Sequence, residues 1–308
     1  MVKFIWGLFK ATRPRQWVKN FALFAPLLLS GSLFNSEDQI KTLIAFLLFC
    51  GFSSATYLLN DVFDIERDKL HPFKIKRPIA SGLIPPGFAI AFALALIFGL
   101  LPLAYNLSPA FFLAGVFYLI LQLFYSAYLK HVILLDVIVI AAGFVLRVYA
   151  GVWAIDAHLN VWFLLCITSF ALFLAIGKRR SELTLMQSQA SKHRLTLLHY
   201  PENLLDILTS MFANSTWLTY ALFAFQQAPI TTPKNLIHFL GSLNIPVWEA
   251  KYFMATVPIT IYAVMRYLYI IYEKKEGESP ERVLVTDIPL LSSVLIWLAL
   301  VIGIIYYL

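Results

Sequence analysis

Charged residues and cysteines are both scarce in this chain of 308 residues. Only 13% of the residues are Asp, Glu, Lys or Arg, against about 25% in an ordinary soluble domain. The two cysteines, Cys50 and Cys166, lie in apolar runs, which excludes a disulfide framework and a cysteine metal cluster. With 60% hydrophobic residues, the composition also excludes a soluble globular enzyme, a fibrous protein and a disordered chain. It predicts an all-α polytopic membrane protein.

Apolar runs long enough to cross a bilayer predict about nine transmembrane helices. We find no repeat of fixed period and no soluble segment, so we expect a single transmembrane domain over residues 1–308. The predicted spans lie near residues 17–34, 40–60, 87–105, 109–128, 132–155, 159–177, 203–226, 248–272 and 286–308.

The basic residues predict the orientation of these spans. With a cytoplasmic N-terminus, 19 of the 24 Lys and Arg residues fall on the inner side and three on the outer side, as the positive-inside rule requires. We therefore expect a multi-pass protein of the inner (plasma) membrane. The net charge of +7 is attributed to cytoplasmic loops and not to a nucleic-acid partner. The oligomeric state stays open, with a homo-oligomer among the alternatives.

An acidic segment follows the second predicted span directly. In a continuous helix, four oxygen-bearing side chains would share one stripe: Asn60, Asp61, Asp64 and Asp68. Like charges repel at this spacing, and more so near lipid, so a divalent cation would stabilise them. Such oxygens suit Mg²⁺, which completes its shell with waters and substrate phosphates. The alternative is a solvated helix end whose acids pair with Arg67, Lys69 and Lys74. The position beside the bilayer favours the metal site.

The pattern Asn-Asp-x-x-Asp-x-x-x-Asp, at the end of the second span of such a protein, resembles the UbiA superfamily of intramembrane prenyltransferases. The segment 71–82, His-Pro-Phe-Lys-Ile-Lys-Arg-Pro-Ile-Ala-Ser-Gly, is similar as well, and the resemblance covers essentially the whole chain. It implies a helical bundle with an active-site cavity that opens to the cytoplasm. It also implies that the four stripe residues bind Mg²⁺ and a diphosphate.

The chain departs from this family after the sixth predicted span. Where the family usually has a second aspartate-rich motif, residues 177–183 read Gly-Lys-Arg-Arg-Ser-Glu-Leu. Cations cannot ligate Mg²⁺, but they can hold phosphate oxygens, and Arg can do so bidentately. Together with segments 13–20, 125–131 and 143–147, this run resembles one branch of the superfamily. Members of that branch transfer 5-phosphoribose from phosphoribosyl pyrophosphate to a polyprenyl (decaprenyl-type) phosphate.

The resemblance therefore implies a Mg²⁺-dependent glycosyltransferase, a pentosyltransferase that inverts C1 and releases pyrophosphate, with a role in cell-wall biogenesis. Asp61, Asp64 and Lys178 are the expected catalytic residues. The candidate substrate-binding residues are cations and polar side chains, most of them at inner span ends: Arg15, Lys19, Lys74, Arg77, Tyr125, Lys130, Arg147, Lys178, Arg179, Arg180, Glu182 and Arg194. Arg147 lies well inside the fifth span, so a structural ion pair is its alternative role. Direct pairing with Asp136, about three turns away, is not expected.

Two other functions remain as alternatives. A conventional prenyltransferase would join an isoprenoid diphosphate to an aromatic acceptor, but the missing second aspartate motif argues against it. A transporter or lipid-binding protein would carry ionisable groups near the bilayer midplane. Here those groups gather at the cytoplasmic ends of spans, with Arg147 as the main exception. The sequence leaves open the chain length of the acceptor and which cation holds which phosphate.

Overall fold

The computed structural model describes residues 2–70, 74–188, 200–227, 251–274 and 280–307, and every regular element in these ranges is helical. The fold class predicted from composition is thus confirmed. The chain divides into two compact units. The first comprises Met1–His158 and Gln189–Tyr200, and the second comprises Leu159–Ser188 and Pro201–Leu308.

The described residues of the first unit contain seven α-helices. They are α1 (Val2–Ala11), α2 (Phe24–Leu29), α3 (Ser36–Phe63), α4 (Ile65–Lys69), α5 (Pro86–Leu107), α6 (Pro109–Ala127) and α7 (Leu135–Ala154). Three 3-10 segments accompany them, at Pro14–Leu23, Lys74–Lys76 and Leu129–His131.

The described residues of the second unit contain five α-helices. They are α8 (Val161–Ser188), α9 (Glu202–Gln226), α10 (Val257–Tyr269), α11 (Pro280–Thr286) and α12 (Ile288–Tyr306). A 3-10 segment, Tyr252–Thr256, precedes α10, and a π-helical turn, Ile270–Lys274, extends it.

Seven of the described helical segments are long and apolar enough to cross a membrane, so the protein is a multi-pass membrane protein. They are Ser36–Phe63, Pro86–Leu107, Pro109–Ala127, Leu135–Ala154, Val161–Thr184, Tyr252–Lys274 and Ile288–Tyr306. Each corresponds to one of the predicted spans. The predicted span 203–226 is helical as α9, but it is not among these seven segments. The predicted count of nine spans is not confirmed by these helices.

The predicted first span, residues 17–34, is not one continuous helix. The chain forms the 3-10 segment Pro14–Leu23, then the six-residue helix α2, and then a turn at Gly31 with φ of 82°. Pro26 lies in the first turn of α2, the part of a helix where proline is tolerated, and the positive φ of Gly31 ends helical geometry. Apolar composition alone predicted this stretch as a span.

The core of the first unit positions the 3-10 segment Pro14–Leu23 against α7. Phe49 and Phe52 of α3 pack with Phe111 and Tyr118 of α6 in one buried cluster. Gly151 of α7 allows the backbone of the 3-10 segment to come close, since a Cβ there would lie 2.2 Å from the carbonyl oxygen of Leu23. This close approach brings the polar side chains of the two elements together.

The core of the second unit lies around α8, α9 and α10. Phe173 of α8 packs against Tyr267 of α10, with ring centroids 5.4 Å apart. Gly177 continues the same contact, because a Cβ there would lie 2.6 Å from the side chain of Ile271. The next residues of α8 form the basic segment 178–180, so this packing holds the start of that segment in position.

Candidate functional site

The acidic residues gather where α3 ends. The helical path continues almost unbroken into α4, because the amide of Asp64 donates to the carbonyl of Asn60 (3.0 Å) and that of Asp68 donates to the carbonyl of Asp64 (2.8 Å). Asp61 and Asp68 are only 2% and 3% exposed. A buried carboxylate is costly unless it is paired and hydrogen-bonded, so the partners of these groups decide what the site can do.

Three cations supply those partners. Arg77 Nη1 donates to Asp61 Oδ1 at 3.1 Å and to Asp68 Oδ2 at 2.6 Å. Lys130 Nζ donates to Asp64 Oδ1 at 2.6 Å, and Arg13 forms a further ion pair with Asp61. Each of the three aspartates therefore has a cationic partner, so the stripe is neutralised in place.

The cations next to the stripe in sequence pair elsewhere. Lys69 donates to the exposed Glu66 at 2.9 Å, and Arg67 Nη1 lies 3.1 Å from His131 Nε2. In the alternative to the metal site, the stripe acids would pair with Arg67, Lys69 and Lys74. For Arg67 and Lys69, that pairing is not found among the described contacts. Lys74 is half-buried in the 3-10 turn Lys74–Lys76. Residues 71–73, which begin the segment 71–82 that resembles the superfamily, lie outside the described residues.

The donor set fits a Mg²⁺ ion. No three His, Cys, Asp or Glu side chains of the described ranges are grouped closely enough to hold a metal ion by themselves. However, one cationic atom, Arg77 Nη1, lies within hydrogen-bonding distance of both Asp61 and Asp68. Mg²⁺ is usually held by one or two carboxylates together with substrate phosphates. Two buried carboxylates that contact the same cation are compatible with that requirement.

Arg13 is a site residue that sequence reasoning missed. Its backbone is in the left-handed region, with φ of 52° and ψ of 61°, which is uncommon for a residue with a side chain. The guanidinium lies 4.9 Å from the ring centroid of Tyr57 and pairs with Asp61. The only sequence signal was its position in the segment 13–20 that carries the family resemblance.

A cavity of about 220 Å³ opens beside Asp61. It is lined by Lys10, Ala11, Arg13, Asp61, Lys76, Arg77 and Pro78. Four cationic side chains thus face one carboxylate around this space. Of the four, only Arg77 is among the predicted substrate-binding residues.

Arg147 occupies a polar cluster of its own within the first unit. It is buried, and it donates from Nε to Asn20 Oδ1 (2.8 Å), from Nη1 to the carbonyl of Gly143 (2.7 Å) and from Nη2 to the hydroxyl of Tyr118 (2.8 Å). Asp136 instead accepts from the hydroxyl of Tyr200 at 2.6 Å. The expectation that Arg147 and Asp136 do not pair directly agrees with these contacts. Arg147 ties three helical elements together, and its substrate-binding role stays a prediction.

The remaining candidates of the first unit lie on separate elements. Arg15 is exposed and Lys19 half-buried on the 3-10 segment Pro14–Leu23, and Tyr125 is half-buried near the end of α6. Lys130, predicted to bind substrate, is buried against Asp64. Their roles toward a substrate stay predictions.

Within the second unit, two arginines of the basic segment are engaged by carboxylates. Arg179 is 1% exposed and its Nη1 donates to Glu182 at 2.6 Å. Arg180 donates from Nε to Asp206 at 2.6 Å, and it also pairs with Glu202.

The same segment leaves its lysine in a looser contact. Lys178 Nζ lies 3.9 Å from Glu182 Oε1, and its side chain is 35% exposed. Glu182, predicted to bind substrate, thus serves as the counter-ion of two cations. Arg194 lies outside the described residues. The predicted substrate contacts of this segment stay predictions.

Comparison with known proteins finds relatives along the whole chain. The profile of the UbiA prenyltransferase family matches residues 21–294. A decaprenyl-phosphate phosphoribosyltransferase of Corynebacterium glutamicum is 35% identical over 97% of this chain and 87% of the relative. Proteins of the same name from Mycolicibacterium smegmatis (34%) and Mycobacterium tuberculosis (35%) align over 98% and 96% of this chain, and over 93% of each relative.

Solved structures with the same fold are more distant in sequence. A UbiA homologue from Archaeoglobus fulgidus bound to GPP and Mg²⁺ superimposes with a TM-score of 0.66 at 20% identity, covering 97% of this chain and 99% of that one. A digeranylgeranylglyceryl phosphate synthase gives a TM-score of 0.62 at 17% identity, covering 99% of each chain. By the family match and the near-complete alignment with its relatives, the chain belongs to the UbiA prenyltransferase family.

Proposed function

We propose that this protein transfers 5-phosphoribose from phosphoribosyl pyrophosphate to a polyprenyl phosphate of the decaprenyl type and releases pyrophosphate. The observation that carries the proposal is the near-full-length similarity to relatives named decaprenyl-phosphate phosphoribosyltransferase. The basic run at residues 178–180, in place of an acidic motif, is consistent with a donor that carries several phosphates.

Asp61, Asp64 and Asp68, with Asn60 beside them, would hold Mg²⁺. Bound there, the ion would neutralise charge on the pyrophosphate leaving group. Because Arg77 and Arg13 already contact Asp61, the same side chains lie ready to bind phosphate oxygens beside the carboxylates. Lys130 holds the carboxylate of Asp64 in position through its 2.6 Å contact.

The reaction itself is a displacement at the ribose C1 atom. The bond from C1 to the pyrophosphate oxygen breaks, and an oxygen of the lipid phosphate forms the new bond from the opposite face, which inverts C1. The attacking oxygen is already anionic, so no general base is required. Catalysis then depends on positioning and on electrostatic stabilisation of the departing pyrophosphate.

We also propose roles for basic residues of the second unit. Lys178 is proposed to act on the departing pyrophosphate, since its looser ion pair leaves it more exposed than the neighbouring arginines. The other residues retained as proposed substrate contacts are Arg15, Lys19, Lys74, Tyr125, Arg147, Arg179, Arg180, Glu182 and Arg194.

The finer architecture is part of the same proposal. We propose about nine spans, a single domain over residues 1–308, a cytoplasmic N-terminus and an active-site cavity that opens to the cytoplasm of a plasma-membrane protein. The distribution of Lys and Arg residues supports this orientation. A role in the cell envelope is part of the same proposal, and the oligomeric state stays open, with a homo-oligomer as one alternative.

The test uses membranes that contain the protein, labelled phosphoribosyl pyrophosphate and Mg²⁺, with and without added polyprenyl phosphate. We expect label to enter the lipid phase only when the acceptor is present. The signal should disappear with EDTA and in Asp61→Asn. The matched control is Glu66→Gln, because Glu66 lies in the same segment with a side chain that is 80% exposed.

The opposite outcome is equally definite. If no label enters lipid with acceptors of several chain lengths, and the same membranes prenylate an aromatic acid from an isoprenoid diphosphate, the donor assignment is wrong. If Glu66→Gln abolishes transfer as completely as Asp61→Asn, the assignment of the metal ligands is wrong.

A further inference from the structure

The cavity beside Asp61 contains two lysines that the proposed reaction does not use. Lys10 comes from the last turn of α1 and Lys76 from the 3-10 turn Lys74–Lys76, and both are exposed. Neither makes an ion pair with another residue of the described ranges. The two lysines therefore bring positive charge to the cavity that no described carboxylate neutralises.

The two arginines of the cavity are held in place. Arg13 is fixed by its left-handed backbone, by the ring of Tyr57 and by Asp61, and Arg77 is fixed by Asp61 and Asp68. A guanidinium has five N–H donors in a rigid fork, so these contacts leave donors for a further acceptor. Cations that are already oriented bind an anion with little additional loss of side-chain entropy.

The space suits a small, strongly charged group. A cavity of about 220 Å³ has room for one phosphate and a few waters, since a water takes about 30 Å³ of liquid volume. Its lining offers four cations and one carboxylate. That excess of positive charge favours a dianion over a neutral ligand.

The first helix indicates where this cavity lies relative to the bilayer. Helix α1 has ten residues and is about 15 Å long, too short to span. It packs through Gly7, where a Cβ would lie 2.5 Å from the side chain of Leu83. Ile5, Trp6 and Phe9 are exposed together on it. A short amphipathic helix with Lys and Trp is typical of the membrane interface, the depth at which lipid phosphates lie.

We propose that the cavity lined by Lys10, Arg13, Lys76 and Arg77 binds a phosphate monoester. Two substrates of the proposed reaction carry this group, the lipid acceptor and the 5-phosphate end of the donor, so the identity of the natural ligand rests on the proposed function. The interfacial position of α1 gives the expectation that the acceptor phosphate binds here. Lys10 and Lys76 then become further substrate-binding residues.

Equilibrium binding to the full-length protein in detergent tests this without any turnover. The probes are farnesyl phosphate, farnesol as its phosphate-free counterpart, and ribose 5-phosphate, all measured without Mg²⁺. The variants are Lys10→Gln, Lys76→Gln and the double variant. Lys3→Gln is the matched control, because Lys3 is an exposed lysine of the same helix that does not line the cavity.

We expect farnesyl phosphate to bind about tenfold more weakly for each lysine removed, the cost of losing one charged contact. Farnesol binding and the Lys3→Gln protein should be unchanged. Weaker binding of ribose 5-phosphate instead would support the cavity and assign it to the donor. Unchanged affinity for both phosphates in the double variant would overturn the proposal, even in a protein that transfers phosphoribose. Conversely, the lysine variants could bind phosphate more weakly while the wild-type protein transfers no phosphoribose. That result would support the phosphate-binding cavity and contradict only the proposed function.

Discussion

The Nη1 atom of Arg77 lies 2.6 Å from the Oδ2 atom of Asp68. The carboxylate is almost fully buried, whereas the arginine side chain is 27% exposed. The same nitrogen also reaches Asp61. One cation therefore neutralises two buried carboxylates, so a metal ion that bound them would compete with Arg77.

Arg77→Gln should make the stability of the protein depend on Mg²⁺. Without the guanidinium, Asp68 loses its described counter-ion, and an uncompensated buried charge costs up to about 3 kcal/mol. Mg²⁺ can restore the compensation, so the thermal midpoint of the variant should rise more on adding Mg²⁺ than that of the wild type. Thermal unfolding in detergent measures this. Lys69→Gln is the control, since Lys69 pairs with the exposed Glu66. An equal Mg²⁺ response in all three proteins would contradict the proposed metal site.

The acidic stripe could be predicted because it depends on local geometry alone. Helical periodicity places Asp61, Asp64 and Asp68 together once α3 and α4 are nearly continuous. Their partners could not be predicted in the same way. Arg13 is 48 residues from Asp61, and Lys130 is 66 residues from Asp64. Those contacts arise from how the helices pack, which periodicity does not contain.

The same difference between local pattern and tertiary contact explains which parts of the fold could be predicted. Long apolar runs predicted the seven long segments because bilayer thickness fixes the length of a span. Part of the run at residues 17–34 is as apolar as those segments. Pro26 and the turn at Gly31 nevertheless limit it to a short helix. Tertiary contacts also changed the interpretation of Arg180, because Asp206 and Glu202 come from another helix.

Arg147→Lys should reduce the stability of the protein, in addition to its effect on substrate binding. The guanidinium makes three hydrogen bonds to neutral partners at once, and a lysine ammonium cannot reproduce that planar arrangement. We expect a loss of about 2–3 kcal/mol, because Asn20 and Tyr118 keep buried polar atoms without their partner. Thermal unfolding and the KM for phosphoribosyl pyrophosphate should be measured together. A large rise in KM with an unchanged midpoint would instead assign Arg147 to the substrate.

Removing the charge of Arg180 should mainly lower stability, whereas removing the charge of Lys178 should mainly lower kcat. Arg180→Gln breaks contacts to Asp206 and Glu202, so it should lower the thermal midpoint by the equivalent of about 1–3 kcal/mol. The 3.9 Å ion pair of Lys178 with Glu182 is longer than the ion pairs of Arg180, so Lys178→Gln should change the midpoint less than Arg180→Gln does. If Lys178 acts on the leaving pyrophosphate, its loss should lower kcat about tenfold or more. Equal effects of the two variants on both quantities would show that the contrast in pairing has no functional meaning.

Asp287, which caps the first turn of α12, should give the protein an acid-sensitive contribution to stability. Hydrogen bonds from Arg266, and then from Lys274 and the amide of Leu290, hold the pKa of this carboxyl well below its ordinary value of 3.8. A group whose pKa is lower in the folded state stabilises the protein. The stabilisation is complete at a pH above the unfolded-state pKa, and it is lost as the pH falls toward the folded-state pKa. Asp287→Asn keeps a good helix cap but removes the charge, at a cost of about 3 kcal/mol near neutral pH. The difference in thermal midpoint between wild type and variant should stay constant from pH 7 to pH 5 and narrow below about pH 4. A difference that does not narrow on acidification would mean that the cap geometry, and not the ion pairs with Arg266 and Lys274, provides the stabilisation.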